Sequence, residues 1–455
     1  MHCLYIFYTF AVTMVDNSII VAPATALGGA IAVIRTSGEG SVECCDRIFK
    51  GRKPLVEAAS HTIHYGTTCD GERVVDDVVV AVFRAPHSYT GEESVEISIH
   101  GSRYIAHEVM RLLCKQGARM AEAGEFSQRA LAAGRIDLSQ AEAVADLIAA
   151  ESRAAHAVAA TQMRGGYSEL LEKLRGKLLN ITTLLELELD FSEEEVEFAD
   201  RERLRSMLEQ TDGAVVRLME SFRVGNAIRE GVSVAIVGRP NVGKSTLLNR
   251  LVGDDRAMVS DIAGTTRDTI EESVVIDDIR FRFIDTAGLH DTDDRLEKMG
   301  IERTERAIRQ AQIVLYMVEP SQCEFELPTL SDEQTMLVVV NKMDTTSERN
   351  IEGALYISAR GGEGVDALRH ALRSTVDTEG LYRGEVVVSN MRHFEALSRA
   401  HEGLQAAVKA LDMGVSEELL AEDIRSAINA LAEITGRITS DDILKNVFAN
   451  FCIGK

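Results

Sequence analysis

The sequence predicts a multidomain fold, α/β plus all-α. An N-terminal α+β domain is followed by a discontinuous helical domain, with a P-loop α/β domain inserted into it. Three observations carry this prediction. Short β-branched runs separated by glycine turns fill the region up to about residue 120, and helical periodicity dominates 138–223 and returns past Gly384. Between the helical blocks, strands alternate with helical stretches, the pattern of a mostly parallel sheet.

The elements follow in order. Ile19–Ala22 and Ala30–Ile34 read as strands about a Gly28-Gly29 turn, with further strands at His61–Tyr65, Asp77–Arg84 and Ser94–His100. A helix over Ile105–Lys115 and a short strand near Arg119 complete the first domain, 14–135. Ala141–Ala160 and Glu169–Leu189 carry apolar residues at helical spacing, and long helices continue through Arg223, giving a first helical part, 136–230. The nine acidic residues of 186–202 read as a solvated helix end or connection. The α/β domain spans 231–380, with strands at Val232–Val237, Glu272–Ile276, Phe281–Ile284, Ile313–Val318 and Met336–Val340. Helices Met391–Leu411 and Glu417–Ile434 form the second helical part, 381–455, which proline does not interrupt. The join Gly225–Gly231 is expected to be a hinge.

Composition bounds the function. With 455 residues there is room for about two to four domains. A hydrophobic content of 45% and a charged content of 27% are those of a globular protein. The formal net charge of −23 excludes nucleic-acid affinity by bulk charge, so RNA contact requires a local basic patch. Seven cysteines without metal or redox spacing point to reduced thiols in a cytoplasmic protein. Leu4–Val12 is apolar but too short to cross a bilayer, and Met14 is an alternative start; no membrane role is expected.

The strand Val232–Val237 runs into Gly238-Arg-Pro-Asn-Val-Gly243-Lys244-Ser245, a complete GxxxxGKS loop followed by an apolar-periodic helix. The glycines let backbone N–H groups over Asn241, Val242, Gly243, Lys244, Ser245 and Thr246 turn toward phosphates, and the helix N-terminus favours an anion there. Lys244 can reach the β- and γ-phosphates, and the Ser245 hydroxyl can hold Mg²⁺. The competing explanation is a fortuitous glycine turn. Asn341-Lys342-Met343-Asp344 follows another strand. Asp344 can accept from both the ring N–H and the exocyclic amine of guanine, a pair that adenine lacks, and Ser358-Ala359-Arg360 can support the ring through backbone N–H groups. GTP is therefore the expected nucleotide.

Thr265-Thr266-Arg267-Asp268, in the stretch Ser260–Asp268, is the expected order/disorder switch, and Asp285-Thr-Ala-Gly288 ends the strand Phe281–Ile284. Asp285 can order Mg²⁺ through its water shell, and the Gly288 N–H can sense the γ-phosphate. A threonine of the first segment completes the Mg²⁺ shell; the residues leave open which, and Thr266 is carried as the candidate. Leu289 follows Gly288 and cannot orient a water as glutamine would. Two residues are candidates for the missing function: Glu297 bridging to the nucleophilic water, or otherwise a solvated helix carboxylate, and Asn241 holding a monovalent cation, or otherwise stabilising the loop. In the first domain, Ser88–Ser94 and Glu122–Arg129 concentrate charge at glycine turns, with Glu125 and Arg129 four apart. On composition these read as solvated charges and a surface ion pair.

Together with Tyr89-Thr-Gly-Glu-Glu93, Gly124-Glu-Phe-Ser-Gln-Arg129 and the terminal Phe451-Cys-Ile-Gly-Lys455, these motifs resemble the bacterial tRNA uridine modification GTPase family called MnmE or TrmE, from about Asn17 to the end. The resemblance implies a tetrahydrofolate-binding-like N-terminal domain that dimerises and a Ras-like G domain inserted into the helical one. It implies a homodimer that joins the FAD- and NADH-dependent partner MnmG (GidA) in a heterotetramer or larger complex. Together they would add a carboxymethylaminomethyl or aminomethyl group at C5 of wobble uridine in certain tRNAs. The carbon would come from 5,10-methylenetetrahydrofolate, of which 5-formyltetrahydrofolate is an analogue. It further implies K⁺-dependent G-domain dimerisation, with Asn241 the K⁺ ligand, Glu297 orienting the water through a second water, and Arg267 the switch arginine. Arg35, Glu93, Glu125 and Arg129 match the folate segments, and Cys452 the tail cysteine needed for modification, a potential nucleophile or otherwise a buried structural thiol. Ala26–Ala30 departs from the pattern in lacking a basic residue between its glycines. A general regulatory GTPase should carry an RNA-binding module, and a one-carbon scaffold would not need intact nucleotide motifs.

Overall fold

The computed structural model describes residues 16–190, 201–256, 272–284, 297–321, 327–331, 334–346, 349–376, 385–438, 440–449, 451 and 454. Strands β1 (Ile20–Pro23) and β2 (Ile31–Ser37), helix α1 (Ser41–Asp46) and strands β3 (Phe49–Gly51), β4 (Thr62–Asp70), β5 (Arg73–Phe83) and β6 (Ser94–His100) come first. Helix α2 (Arg103–Lys115), strand β7 (Arg119–Met120) and helices α3 (Glu125–Ala132), α4 (Leu138–Ala149), α5 (Arg153–Met163), α6 (Gly166–Asp190) and α7 (Arg201–Glu230) follow. Next are β8 (Val232–Gly238), α8 (Lys244–Arg256), β9 (Glu272–Ile276), β10 (Ile279–Phe283), α9 (Glu297–Gln310), β11 (Ile313–Val318), β12 (Thr335–Val340), β13 (Leu355–Tyr356) and α10 (Val365–Ser374). Helices α11 (Met391–Asp412), α12 (Glu417–Ile434) and α13 (Asp441–Ala449) close the chain.

The chain packs as two compact units, Met1–Ala145 with Ser168–Thr183 and Ile424–Lys455, and Asp146–Tyr167 with Leu184–Asp423. In the first, seven strands form a sheet in the order β3-β4-β5-β6-β2-β1-β7, antiparallel except for the β1–β7 pair. Alternation sets its faces: Val78, Val80 and Val82 are buried while Val79 between them is exposed. Those valines join Ala32, Ile34, Val95, Ile97 and Ile99 under the apolar stripe of α2, Ala106, Val109 and Leu113. Phe448 and Phe451, with ring centroids 5.0 Å apart, pack with Leu138 and Ala141. They lie over Gly124, where a Cβ would meet the Phe448 ring and the Phe451 Cβ at 3.0 Å each. Gly454 sits against the Pro23 carbonyl too closely for any Cβ, and its positive φ suits glycine alone.

In the second unit, six strands run β13-β12-β11-β8-β10-β9, all parallel but for the edge strand β9. The order reverses beside β8, so its carboxyl end opens on the crevice where open α/β sheets bind ligands. Val232, Val234, Phe281, Phe283, Leu315 and Val339 fill the core with Leu247, Leu248 and Leu251 of α8. Helix α7 packs on α11, where Phe222 and Phe394 stack at 4.7 Å and Asp212 binds His401 (2.6 Å) and Gln405 (2.6 Å). No helix among the described residues is long and apolar enough to cross a membrane.

Two expectations change. The alanine-rich stretch 141–160 is not one helix: it breaks at residues 150–152, where Ser152 caps α5 by accepting from the Ala155 N–H (3.1 Å). Gly225 is no hinge either. Helix α7 continues to Glu230, and Gly225 lies within it, packed so closely on the Val388 carbonyl that a Cβ would collide. Only Gly231, with φ +87°, separates α7 from β8.

Candidate nucleotide site

The phosphate loop follows β8 because three of its residues tolerate left-handed backbone. Gly238 (φ +148°) packs on the Met317 carbonyl, Asn241 holds φ +60°, and Gly243 (φ +101°) lies under the Asn341 side chain, leaving no room for a Cβ. Lys244 Nζ donates to the carbonyls of Gly238 (2.8 Å) and Arg239 (3.0 Å), folding the side chain over the loop. Burial lowers the pKa of its ammonium from the ordinary value. Val242 is buried in the core, Ser245 is half-buried, and Asn241 and Thr246 are exposed.

Asn341, 3% exposed, links the loop to the second nucleotide segment. Its Nδ2 donates to the Val242 carbonyl (2.8 Å) and its Oδ1 accepts from the Ala359 N–H (2.9 Å). That engages the Ala359 N–H with the protein. Asp344 is aimed by Ser358, whose Oγ donates to Asp344 Oδ1 (2.8 Å) and accepts from the Gly361 N–H (2.9 Å). Lys342, at φ +68°, pairs with Glu319 at the end of β11. Arg360 is exposed, its carbonyl accepting from Arg250 (3.4 Å). Glu319 and the Ser358–Asp344 bond carried no signal in sequence spacing, since each joins segments from different strands. Thr265, Thr266, Arg267, Asp285, Gly288, Cys452 and the side chain of Glu297 lie outside the described residues.

The charged segments of the first unit are buried and paired. Arg129, 1% exposed, donates to Glu125 (3.0 Å), Glu92 (3.2 Å) and the carbonyls of Asp16 and Ser18 (2.9 Å each). Glu125 also accepts from Arg119 (2.6 Å) and the Glu122 N–H (2.9 Å). Burial opposes ionisation of Glu125, but the bonds from Arg119, Glu122 and Arg129 outweigh it and hold the carboxyl below its ordinary pKa. The surface ion pair expected here is thus an interior network. Arg35 pairs with its cross-strand partner Glu96 (2.7 Å), its guanidinium 5.8 Å from the ring centroids of both Tyr89 and Phe126. Glu93 pairs with Arg84 (2.7 Å), and the Tyr89 hydroxyl bonds to Ser127 Oγ (2.9 Å).

Known proteins match this chain along most of its length. Residues 138–452 match the family model described as the MnmE helical domain, and residues 19–135 that of the GTP-binding protein TrmE N-terminus. The tRNA modification GTPase MnmE of Bacteroides thetaiotaomicron is 47% identical over 464 residues, covering 97% of this chain and 100% of that protein. The protein of the same name from Flavobacterium johnsoniae is 47% identical over 466 residues, with the same coverage of both. Among solved structures, the FeoB G domain from Methanococcus jannaschii is 23% identical, covering 32% of this chain and 97% of that one, with a TM-score of 0.24. By these matches the chain belongs to the MnmE (TrmE) family of tRNA modification GTPases.

Proposed function

We propose that the protein binds and hydrolyses GTP as its part in tRNA modification. The observation that carries this is the Asn341 bridge, which holds the phosphate loop through Val242 and the base-reading segment through Ala359 in a chain matching MnmE relatives end to end. Lys244 would release the loop carbonyls for β- and γ-phosphate oxygens, the Ser245 hydroxyl would take Mg²⁺, and the loop N–H groups would take the remaining phosphate charge. When bound, Mg²⁺ neutralises charge developing on the transferred phosphoryl group. Asp344, fixed by Ser358, would accept both N–H groups of guanine. Asn241 would offer its carboxamide oxygen to K⁺; its exposure and left-handed backbone at the loop support this reading.

In the finer reading, two copies act with MnmG and tRNA, and a folate supplies one carbon to C5 of the wobble uridine. The folate segments support this unevenly. Arg129 and Glu125 are engaged with each other, and Glu125 also with Arg119; they would shape the wall of such a site rather than touch a ligand. Arg35 and Glu93, each about a fifth exposed on its side chain, are the groups that could meet one. Thr266, Arg267, Asp285, Gly288, Glu297 and Cys452 keep the roles proposed for them from sequence.

Asp344→Asn tests the base assignment. The variant should lose GTP affinity on the order of 10⁴-fold and gain xanthosine triphosphate, whose 2-oxo group accepts the hydrogen bond that an asparagine amide donates. Fluorescent-nucleotide titration reads both. Undiminished GTP binding would remove Asp344 from the site.

A further inference from the structure

The chain carries a net charge of −23, yet residues 47–53 hold four cations, Arg47, Lys50, Arg52 and Lys53, and no acid. The run follows α1 and passes through β3, the edge strand of the seven-stranded sheet in the first unit. Its apolar residues turn inward: Ile48 and Phe49 are buried, as is Leu55 just beyond, while all four cations are exposed. What this edge shows to solvent is charge without apolar surface.

The fold holds this ridge in place. Phe49 and Gly51 pair with Thr68 and Gly66 of β4, and the Cys69 N–H donates to the Ile48 carbonyl (2.8 Å). Asp46, the acid that precedes the run, accepts from the Leu55 N–H and ties the two ends of the run together. Lys50 Nζ donates to the Gly71 carbonyl in the β4–β5 turn (2.9 Å). Two acids beside that turn are already paired, Asp70 with Arg111 (2.9 Å) and Glu108 with Arg73 (2.8 Å). The exposed acids around the ridge, Glu43, Glu57 and Glu72, stand on separate elements and do not interrupt it. Among the described residues, no side-chain hydrogen bond or ion pair engages Arg47, Arg52 or Lys53.

Cations on an edge strand discourage pairing with a second sheet. Lys50 lies within β3 and serves that purpose, but Arg47, Arg52 and Lys53 lie outside the strand, where there is no ladder to guard. An acidic protein would also be attracted, yet protein interfaces are built on an apolar core depleted in lysine, which this ridge lacks. Nucleic-acid interfaces are polar and strongly positive, as this ridge is. We propose that Arg47, Lys50, Arg52 and Lys53 form a docking surface for the phosphate backbone of tRNA. This deepens the reading of the protein as part of tRNA modification and rests on it.

Binding of unmodified tRNA to the full-length protein, read by fluorescence polarisation at a series of KCl concentrations, tests it. The triple variant Arg47→Ala, Arg52→Ala, Lys53→Ala should bind about tenfold or more weakly at low salt. Its slope of log affinity against log salt should be shallower by about two to three, since each phosphate contact contributes roughly one. Lys53→Ala alone, at a side chain without a partner, should lose about one unit of slope, so the test stands even if the triple variant folds poorly. Lys173→Ala with Lys177→Ala, which removes two exposed cations from α6, should change neither affinity nor slope. Affinity and slope unchanged in the ridge variants, or lowered equally by the α6 pair, overturn the proposal while leaving the tRNA reading intact. Ridge variants that keep tRNA binding but lose binding of polyglutamate overturn it in favour of an acidic protein partner. A wild type that binds GTP but no tRNA at low salt overturns the tRNA reading and this inference with it.

Discussion

Asn341 satisfies two buried backbone groups at once, the Val242 carbonyl and the Ala359 N–H. Asn341→Ala leaves both without a partner at about 1–3 kcal/mol each, so the urea midpoint should fall and GTP affinity with it. An unchanged midpoint would mean that the bridge is absent in solution. Glu125 makes a different prediction because its charge is the point. Its pKa is lowered on folding, so its contribution is complete above the ordinary value near 4.5 and is lost as pH falls through the folded value. Glu125→Gln removes the charged acceptor that Arg119 and Arg129 share, leaving them Asp16 and Glu92, and should cost about 2 kcal/mol at neutral pH. The gap between wild type and variant should close with acidification, as thermal unfolding at a series of pH values would show; a gap independent of pH would contradict the network.

Elements whose signal is local were legible in the sequence. β8, the phosphate loop and α8 occupy one continuous stretch, as do β6, β11 and α12, whose runs carry their own periodicity. The break between α4 and α5 was hidden because alanine is a good helix former on both sides, and only Ser152 marks it. Gly225 misled for a related reason: glycine signals flexibility locally, whereas here the close Val388 carbonyl demands it, and that carbonyl is 163 residues away in sequence. Alanine normally improves a helix interior by roughly 1 kcal/mol over glycine. Gly225→Ala should instead lower the melting temperature measured by calorimetry, since its Cβ has no space. A stabilised variant would return Gly225 to the role of a tolerated helix defect.

Across the whole molecule, the nucleotide chemistry was readable because its motifs are short, while the charged network of the first unit was not. Arg129 finds Glu92, Asp16 and Ser18 only after the sheet forms, so its residues could be singled out but not their burial. The same holds for Gly454 and Gly124, whose need for glycine comes from Pro23 and from Phe448 and Phe451. The central claim, GTP hydrolysis by this site, is tested most directly by turnover of GTP and ATP by the purified protein in KCl and in NaCl at equal ionic strength, with Asn241→Ala in parallel. The account predicts turnover of GTP but not ATP, faster in KCl, with that stimulation absent in the variant. ATP hydrolysed as readily as GTP, or no GTP turnover in either salt, would contradict it.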